Sequence, residues 1–218
     1  MIQVYSVSMR YKEDVQVLHE ISLSVEDGEF AFLVGPSGAG KTTVLRLLYR
    51  ELTPTEGQII VSGYNLSKIK GSQLPYFRRK LGIVFQDFKL LPNKTVAQNI
   101  AFSMRATGAR RSRIKKNVDR VLEWTNLTHR KNALPEDISG GEQQRTSIAR
   151  AMVNEPLLIL ADEPTGNLDP ELSLEIMRLF ERLNERGTTV LVATHDANLV
   201  RQLNKRVIKI DKGRIIEE

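Results

Sequence analysis

The 218-residue chain contains no cysteine, which excludes disulfides and thiolate metal sites and fits a reducing compartment. It has no apolar run near the ~18–20 residues that a helix needs to cross a bilayer. The opening IQVYSV alternates like a strand and lacks a charged n-region and an apolar h-region, so a chain neither exported nor membrane-spanning is expected. There is no internal repeat, linker or low-complexity tract, and the length suits a single domain over 1–218. His19 and His129 stand in no ligand pattern and read as solvated or packing residues. The one tryptophan, Trp124, continues the apolar side of a helix and reads as packing.

What is present begins with GPSGAGKT at residues 35–42. Phe30 to Val34 is an apolar run of the kind found in buried parallel strands, and Thr43 to Tyr49 has leucines at helical spacing. Between them Gly35, Gly38 and Gly40 allow a tight turn whose N–H groups point inward, an anion nest at a helix N-terminus. Pro36, Ser37, Ala39 and Thr43 complete that loop. Lys41 then reaches β- and γ-phosphates, and the Thr42 hydroxyl is placed to ligate Mg²⁺. The chemistry indicated is a nucleotide phosphate with Mg²⁺.

The strand LLILA (157–161) delivers Asp162 and Glu163 at its carboxyl end, where open α/β sheets bind ligands. Asp162 is placed to hold hydrated Mg²⁺ beside Thr42, and Glu163 to orient and deprotonate water. His195 follows TTVLVAT at the carboxyl end of another strand, the same active edge. ISGGEQQR opens a further helix, with Ser139 as its N-cap and Gly140 and Gly141 leaving the first N–H groups uncovered. One triphosphate does not need two such helix ends on the same side. The second end is therefore expected to serve a nucleotide held by another copy of the chain.

The rest of the pattern is α/β. The amino-terminal stretch reads as antiparallel strands with a turn at Glu26-Asp27-Gly28. QIIVSG, LGIVF (81–85) and TTVLVAT (188–194) read as strands, about Glu171 to Arg186 as a helix, and RVIKIDKGRII as a closing hairpin. Residues 89–154 read as a helical insertion between strands, apart from the loop around Pro135. A parallel sheet around a phosphate loop is the expected core. The net charge is +6 and the pI is about 9.6. Much of that charge sits at Arg105, Arg110, Arg111, Arg113, Lys115, Lys116 and Arg120, opposite the stripe Ile114, Val118, Val121 and Leu122. A solvated helix face is the plain reading, and contact with acidic lipid or an acidic partner segment is the alternative. No groove-reading motif accompanies the charge, so no nucleic-acid partner is expected.

Taken in order, GPSGAGKT, Gln86, ISGGEQQR, LADEP, NLD and His195 resemble the ATP-binding cassette (ABC) ATPases over the whole chain. The resemblance implies a P-loop nucleotide-binding fold with a parallel core, an antiparallel β subdomain and an inserted helical subdomain. It implies that Tyr11 stacks on adenine, against the alternative that it merely packs. Gln86 would link the Mg²⁺ site to the helical insertion, and His195 would contact the γ-phosphate. Ser139, Gly140, Gly141 and Glu142 would meet the γ-phosphate across a homodimer, with Asn167, Leu168 and Asp169 at the seam. Ile138 and Glu142 replace the commoner Leu and Gln, and Gly166-Asn167 the commoner Ser-Ala; neither change removes a phosphate ligand.

Within the family, GIVFQDFKLLPNKTVAQNIAF together with SGGEQQR resembles the cell-division ATPases, and residues 64–79 fit that type. This implies an FtsX-like integral membrane partner, a place on the cytoplasmic face of the membrane at the division site, and control of peptidoglycan hydrolases. ATPases of lipoprotein-releasing and macrolide-export complexes share the FQ-x-F-x-LLP segment and are the alternative. A cassette acting on DNA or the ribosome is disfavoured, because there is no second phosphate loop and no heptad pattern. Phe88, Leu90 and Leu91 follow Gln86 and either pack the insertion onto the core or dock the membrane partner.

Overall fold

The computed structural model describes residues 1–11, 15–166 and 168–217. The alternating amino-terminal segment forms β1 (Ile2–Arg10) and β2 (Gln16–Val25), antiparallel, with Ile2 opposite Val25 and Arg10 opposite Gln16. β4 (Glu56–Val61) pairs with the other edge of β1, and the two-residue β5 (Tyr64–Asn65) ends this sheet in the order β2-β1-β4-β5. The expected turn at Glu26-Asp27-Gly28 is present, with Gly28 at φ 74°. It does not join two antiparallel strands but carries the chain out of this sheet into β3 (Phe30–Val34) of the second. FAFLV has no polar alternation, so it needs cover on both faces, which only the central sheet provides.

The central sheet has the order β10-β9-β3-β8-β7-β6, where β6 is Leu81–Val84, β7 Leu158–Asp162, β8 Thr189–Thr194, β9 Arg206–Asp211 and β10 Arg214–Glu217. Its strands are parallel from β9 to β6, and β10 closes an antiparallel hairpin. The two faces of β3 feed two cores: Phe30 and Phe32 face the helical layer, Ala31 and Leu33 the antiparallel sheet. β7 and β8 divide in the same way, with Ile159, Ala161, Val190 and Val192 on one face and Leu158, Leu160, Leu191 and Ala193 on the other. Each fully buried aliphatic side chain of this kind contributes about 1.5–3 kcal/mol from lost apolar exposure.

α1 (Lys41–Leu48) lies between the sheets, burying Val44, Leu45, Leu47 and Leu48. Between β6 and β7 come α3 (Val96–Ala106), α4 (Arg111–Trp124) and α5 (Gly140–Met152); residues 85–95 are non-helical, which corrects the helical reading of 89–95, since Phe88 and Lys89 hold positive φ and turn the chain. α4 buries Ile114, Val118, Val121 and Leu122 and leaves Arg111, Arg113, Lys115 and Lys116 exposed, as its pattern requires. α6 (Pro170–Asn184) crosses from β7 to β8. Neither the five-residue α2 (Leu74–Arg78) nor α7 (Ala197–Leu203) is expected from the sequence, being too short to show a helical period.

Candidate functional site

The loop between β3 and α1 is built around two glycines that nothing else can replace. A Cβ on Gly35 would lie 2.1 Å from the Ile210 carbonyl oxygen, so β9 and the loop touch only because that atom is absent. Gly40 caps α1 at φ 108°, a left-handed conformation. No side chain caps α1 and no acid sits in its first turn, so its N–H end opens onto a cleft of about 370 Å³. Ser37, Lys41, Thr42, Gln86, Glu163 and His195 line that cleft. An uncapped helix end beside a buried lysine suits phosphate.

Lys41 is only 6% exposed, and its Nζ donates to the carbonyls of Gly35 at 2.7 Å and Pro36 at 3.2 Å. It also lies 3.3 Å from Glu163 Oε1. The other Glu163 oxygen, Oε2, is 3.0 Å from His195 Nδ1, so one carboxylate bridges the loop lysine and the histidine. Glu163 holds φ 44°, unusual for a residue with a side chain and worth roughly 1–3 kcal/mol of strain. Its N–H donates to Ala193 O at 2.9 Å, which fixes it against β8. Next to it, the Thr42 hydroxyl donates to Asp162 Oδ1 at 3.2 Å. Burial, and then the Glu163 charge, push the Asp162 carboxyl above its ordinary range, with the Thr42 bond opposing them.

The Tyr11 phenol is 3.3 Å from the Thr43 hydroxyl, and the ring packs on the core under the antiparallel sheet. Ser139 caps α5, its Oγ accepting from Glu142 N at 3.3 Å. Gly141 faces Leu172 of α6, and Gly140 faces open space. None of residues 139–142 lines the Lys41 cleft. Asn167 lies outside the described residues; Leu168 packs on the helical core, and Asp169 caps α6 through Leu172 N at 3.0 Å.

A phosphate-loop cleft and a separate, capped Ser-Gly-Gly helix end therefore stand on one chain. The ABC transporter family model matches residues 18–166. The chain belongs to the ABC transporter family. It is 50% identical over 217 residues to the cell division ATP-binding protein FtsE of Streptococcus pneumoniae, covering 100% of this chain and 94% of that one. It is 49% identical to FtsE of Bacillus subtilis, covering 100% of this chain and 96% of the relative. Among solved structures it matches the dimeric post-hydrolysis state of the ATP-binding cassette MJ0796 bound to ADP and Pi, at TM-score 0.91 and 34% identity. That match covers 100% of this chain and 97% of the other. This cassette is thus an ABC-type ATPase of the cell-division type, α/β in fold.

Several residues that shape the cassette carry no motif of their own. Asn99 is fully buried; its side chain accepts from Leu91 N at 2.8 Å and donates to Leu91 O at 3.1 Å and Lys94 O at 2.8 Å. It thereby fixes the segment after Gln86 to α3. Arg150, near the end of α5, donates to the carbonyls of Phe88 at 2.7 Å and Lys89 at 2.5 Å. Those two residues hold φ 56° and 50°, and Arg150 secures their turn. Two capping-box spacings were available as signals, Thr95-x-x-Gln98 at the start of α3 and Ser139-x-x-Glu142 at the start of α5. The second places the Glu142 side chain on Ser139 N at 2.9 Å, and the carboxylate faces its own helix end.

Proposed function

We propose that two copies of this ATPase close around two MgATP and drive an FtsX-like integral membrane partner that controls peptidoglycan hydrolases. The observation that carries this is the division of the anion-binding groups. Lys41, Thr42, Glu163 and His195 converge on one cleft, while the Ser139 end of α5 is absent from its lining. In this reading the loop of Gly35, Pro36, Ser37, Gly38, Ala39 and Gly40 wraps the phosphates of ATP, and Lys41 neutralises the β- and γ-oxygens. Tyr11 meets the adenine, and Thr43 supports the loop beside it. Thr42, Asp162 and Gln86 present hard oxygen donors that suit Mg²⁺, which when bound supplies charge neutralisation at the phosphates. Glu163 takes the proton of the attacking water, and His195 holds that carboxylate and reaches the γ-phosphate. Ser139, Gly140 and Gly141 of the second copy close on the same phosphate.

The test mixes two inactive variants. Lys41→Ala and Ser139→Arg should each lose turnover alone. Mixed, they form heterodimers in which one site takes Lys41 from one chain and Ser139 from the other, and turnover should exceed the sum of the separate variants. Turnover equal to that sum means that Ser139 serves its own chain, and the dimer reading falls.

The partner is expected at the segment after Gln86. A groove of about 460 Å³ runs along α3 there, with Phe85, Leu91 and Phe102 as apolar surface and Arg78 and Arg79 beside them. Phe102 is 51% exposed, unusual for an aromatic with no work at the surface. Leu91→Glu should leave the chain folded and binding ATP but abolish co-purification with the membrane partner from solubilised membranes. Unfolding would favour the packing reading, and normal co-purification would place docking elsewhere. Close by, Arg105, Arg110, Arg111, Arg113, Lys115 and Lys116 are exposed and have no ion pair among the described residues. These six match the chain's whole net charge of +6, and they suit an anionic leaflet at about 1 kcal/mol per residue near the surface. The cassette would then sit peripherally on the cytoplasmic face of the membrane, at the division site.

A further inference from the structure

The Ser139 end of α5 carries a contradiction in its charges. A helix N-terminus with two glycines suits an incoming anion, yet Glu142 places a carboxylate within that first turn. The carboxylate is tightly held. Its Oε2 accepts from Ser139 N at 2.9 Å and from Ser139 Oγ at 3.0 Å. Its Oε1 accepts from Arg130 Nε at 3.0 Å, with His129 Nε2 at 3.5 Å. Glu142 is 10% exposed and Arg130 is 47% exposed, so the acid is the member of the pair that lies inside. Burial would raise the Glu142 carboxyl, but the bonds from Ser139 and Arg130 outweigh it and hold the group ionised below its ordinary range.

Glu142 therefore orients the Ser139 hydroxyl and backbone at the cost of a fixed negative charge where a phosphate is expected. Arg130 arrives from a separate segment, the single helical turn Thr128–Arg130 that follows α4. The residues directly after that turn are anchored, because Val96 N and Ala97 N at the start of α3 donate to Ala133 O at 2.9 Å and Lys131 O at 3.0 Å. We infer that Arg130 is a positioning residue for ATP hydrolysis, cancelling the Glu142 charge so that the Ser139 end can receive the γ-phosphate of ATP held by a second copy. The inference rests on the two-copy reading above. It adds that the receiving end is made competent by a cation outside every nucleotide motif of the chain.

A double-mutant cycle tests it. Arg130→Gln should lower turnover at subsaturating ATP about tenfold, because an uncompensated carboxylate then faces the incoming phosphate. Arg130→Gln placed on Glu142→Gln should cost little beyond Glu142→Gln alone, since no charge remains to cancel. Arg130→Lys should retain most turnover by keeping the cation. ATP binding to the single chain should be unchanged in Arg130→Gln, because the Lys41 cleft contains neither residue. The inference is overturned if Arg130→Gln keeps wild-type turnover or if the loss persists on Glu142→Gln. It is equally overturned if ATP binding and the melting temperature fall in step with turnover, which marks structural damage. Failure of the Lys41→Ala and Ser139→Arg mixture removes the two-copy reading, and this inference with it. Success of the mixture with a failed cycle removes Arg130 alone.

Discussion

Lys41→Ala is expected to leave a folded protein with no detectable ATP turnover. The buried stem of Lys41 lies at the first position of α1, where alanine also favours the helix, and its Nζ serves Gly35 O, Pro36 O and the Glu163 carboxylate. Those carbonyls belong to a loop that opens on the cleft, where water replaces the lost donor. The phosphates have no such substitute. A hydrogen bond to a charged group is worth about 1.5–3 kcal/mol, so losing two at the β- and γ-oxygens weakens ATP by roughly 10²–10⁴-fold. Turnover is measured by phosphate release, binding by a fluorescent nucleotide, and folding by thermal melting. Turnover within about threefold of wild type, where a charge-assisted loss is expected, would overturn the phosphate-loop assignment.

Glu163→Gln is expected to bind MgATP and hydrolyse it very slowly. The amide matches the carboxylate in shape but takes no proton, and general-base catalysis supplies roughly 10²–10⁴ in rate. Its amide retains one acceptor for Lys41 or His195, so the local geometry at φ 44° persists. Hydrolysis is the step that reopens the dimer in this scheme, so the closed ATP-bound dimer should accumulate. Gel filtration with MgATP at high protein concentration reads this directly. A variant that hydrolyses at the wild-type rate removes Glu163 as the base, and one that stays monomeric counts against the shared site.

The central sheet and its cleft were legible because their signals are local. FAFLV, LLILA and the VLVA within TTVLVAT are each continuous apolar runs, and a continuous run has one common solution, a strand covered on both faces. Lys41, Thr42, Asp162, Glu163 and His195 follow from strand ends, since the carboxyl edge of a parallel sheet collects whatever comes next in the chain. What was not legible depends on partners met only after folding. Arg130 looks like any exposed cation until Glu142 is beside it, and Asn99 like any polar residue until Leu91 turns back onto it. The turn at Glu26-Asp27-Gly28 was legible in place but not in destination: a turn's composition reports that the chain bends, while the sheet it enters is decided by the burial needs of the next strand.

α5 has fixed attachments at both ends, Ser139 and its capping box at the start and Arg150 on the Phe88 and Lys89 carbonyls near the finish. A helix of 13 residues is about 20 Å long and nearly incompressible along its axis. It has the geometry of a lever. A tilt of about 7° about Arg150 would sweep Ser139 through roughly 2 Å, enough to carry a hydrogen-bonded atom out of reach of its acceptor. Push at the Phe88 turn should therefore be geared into travel at Ser139, and removing the Arg150 guanidinium would release the turn it secures while leaving the Ser139 capping box in place.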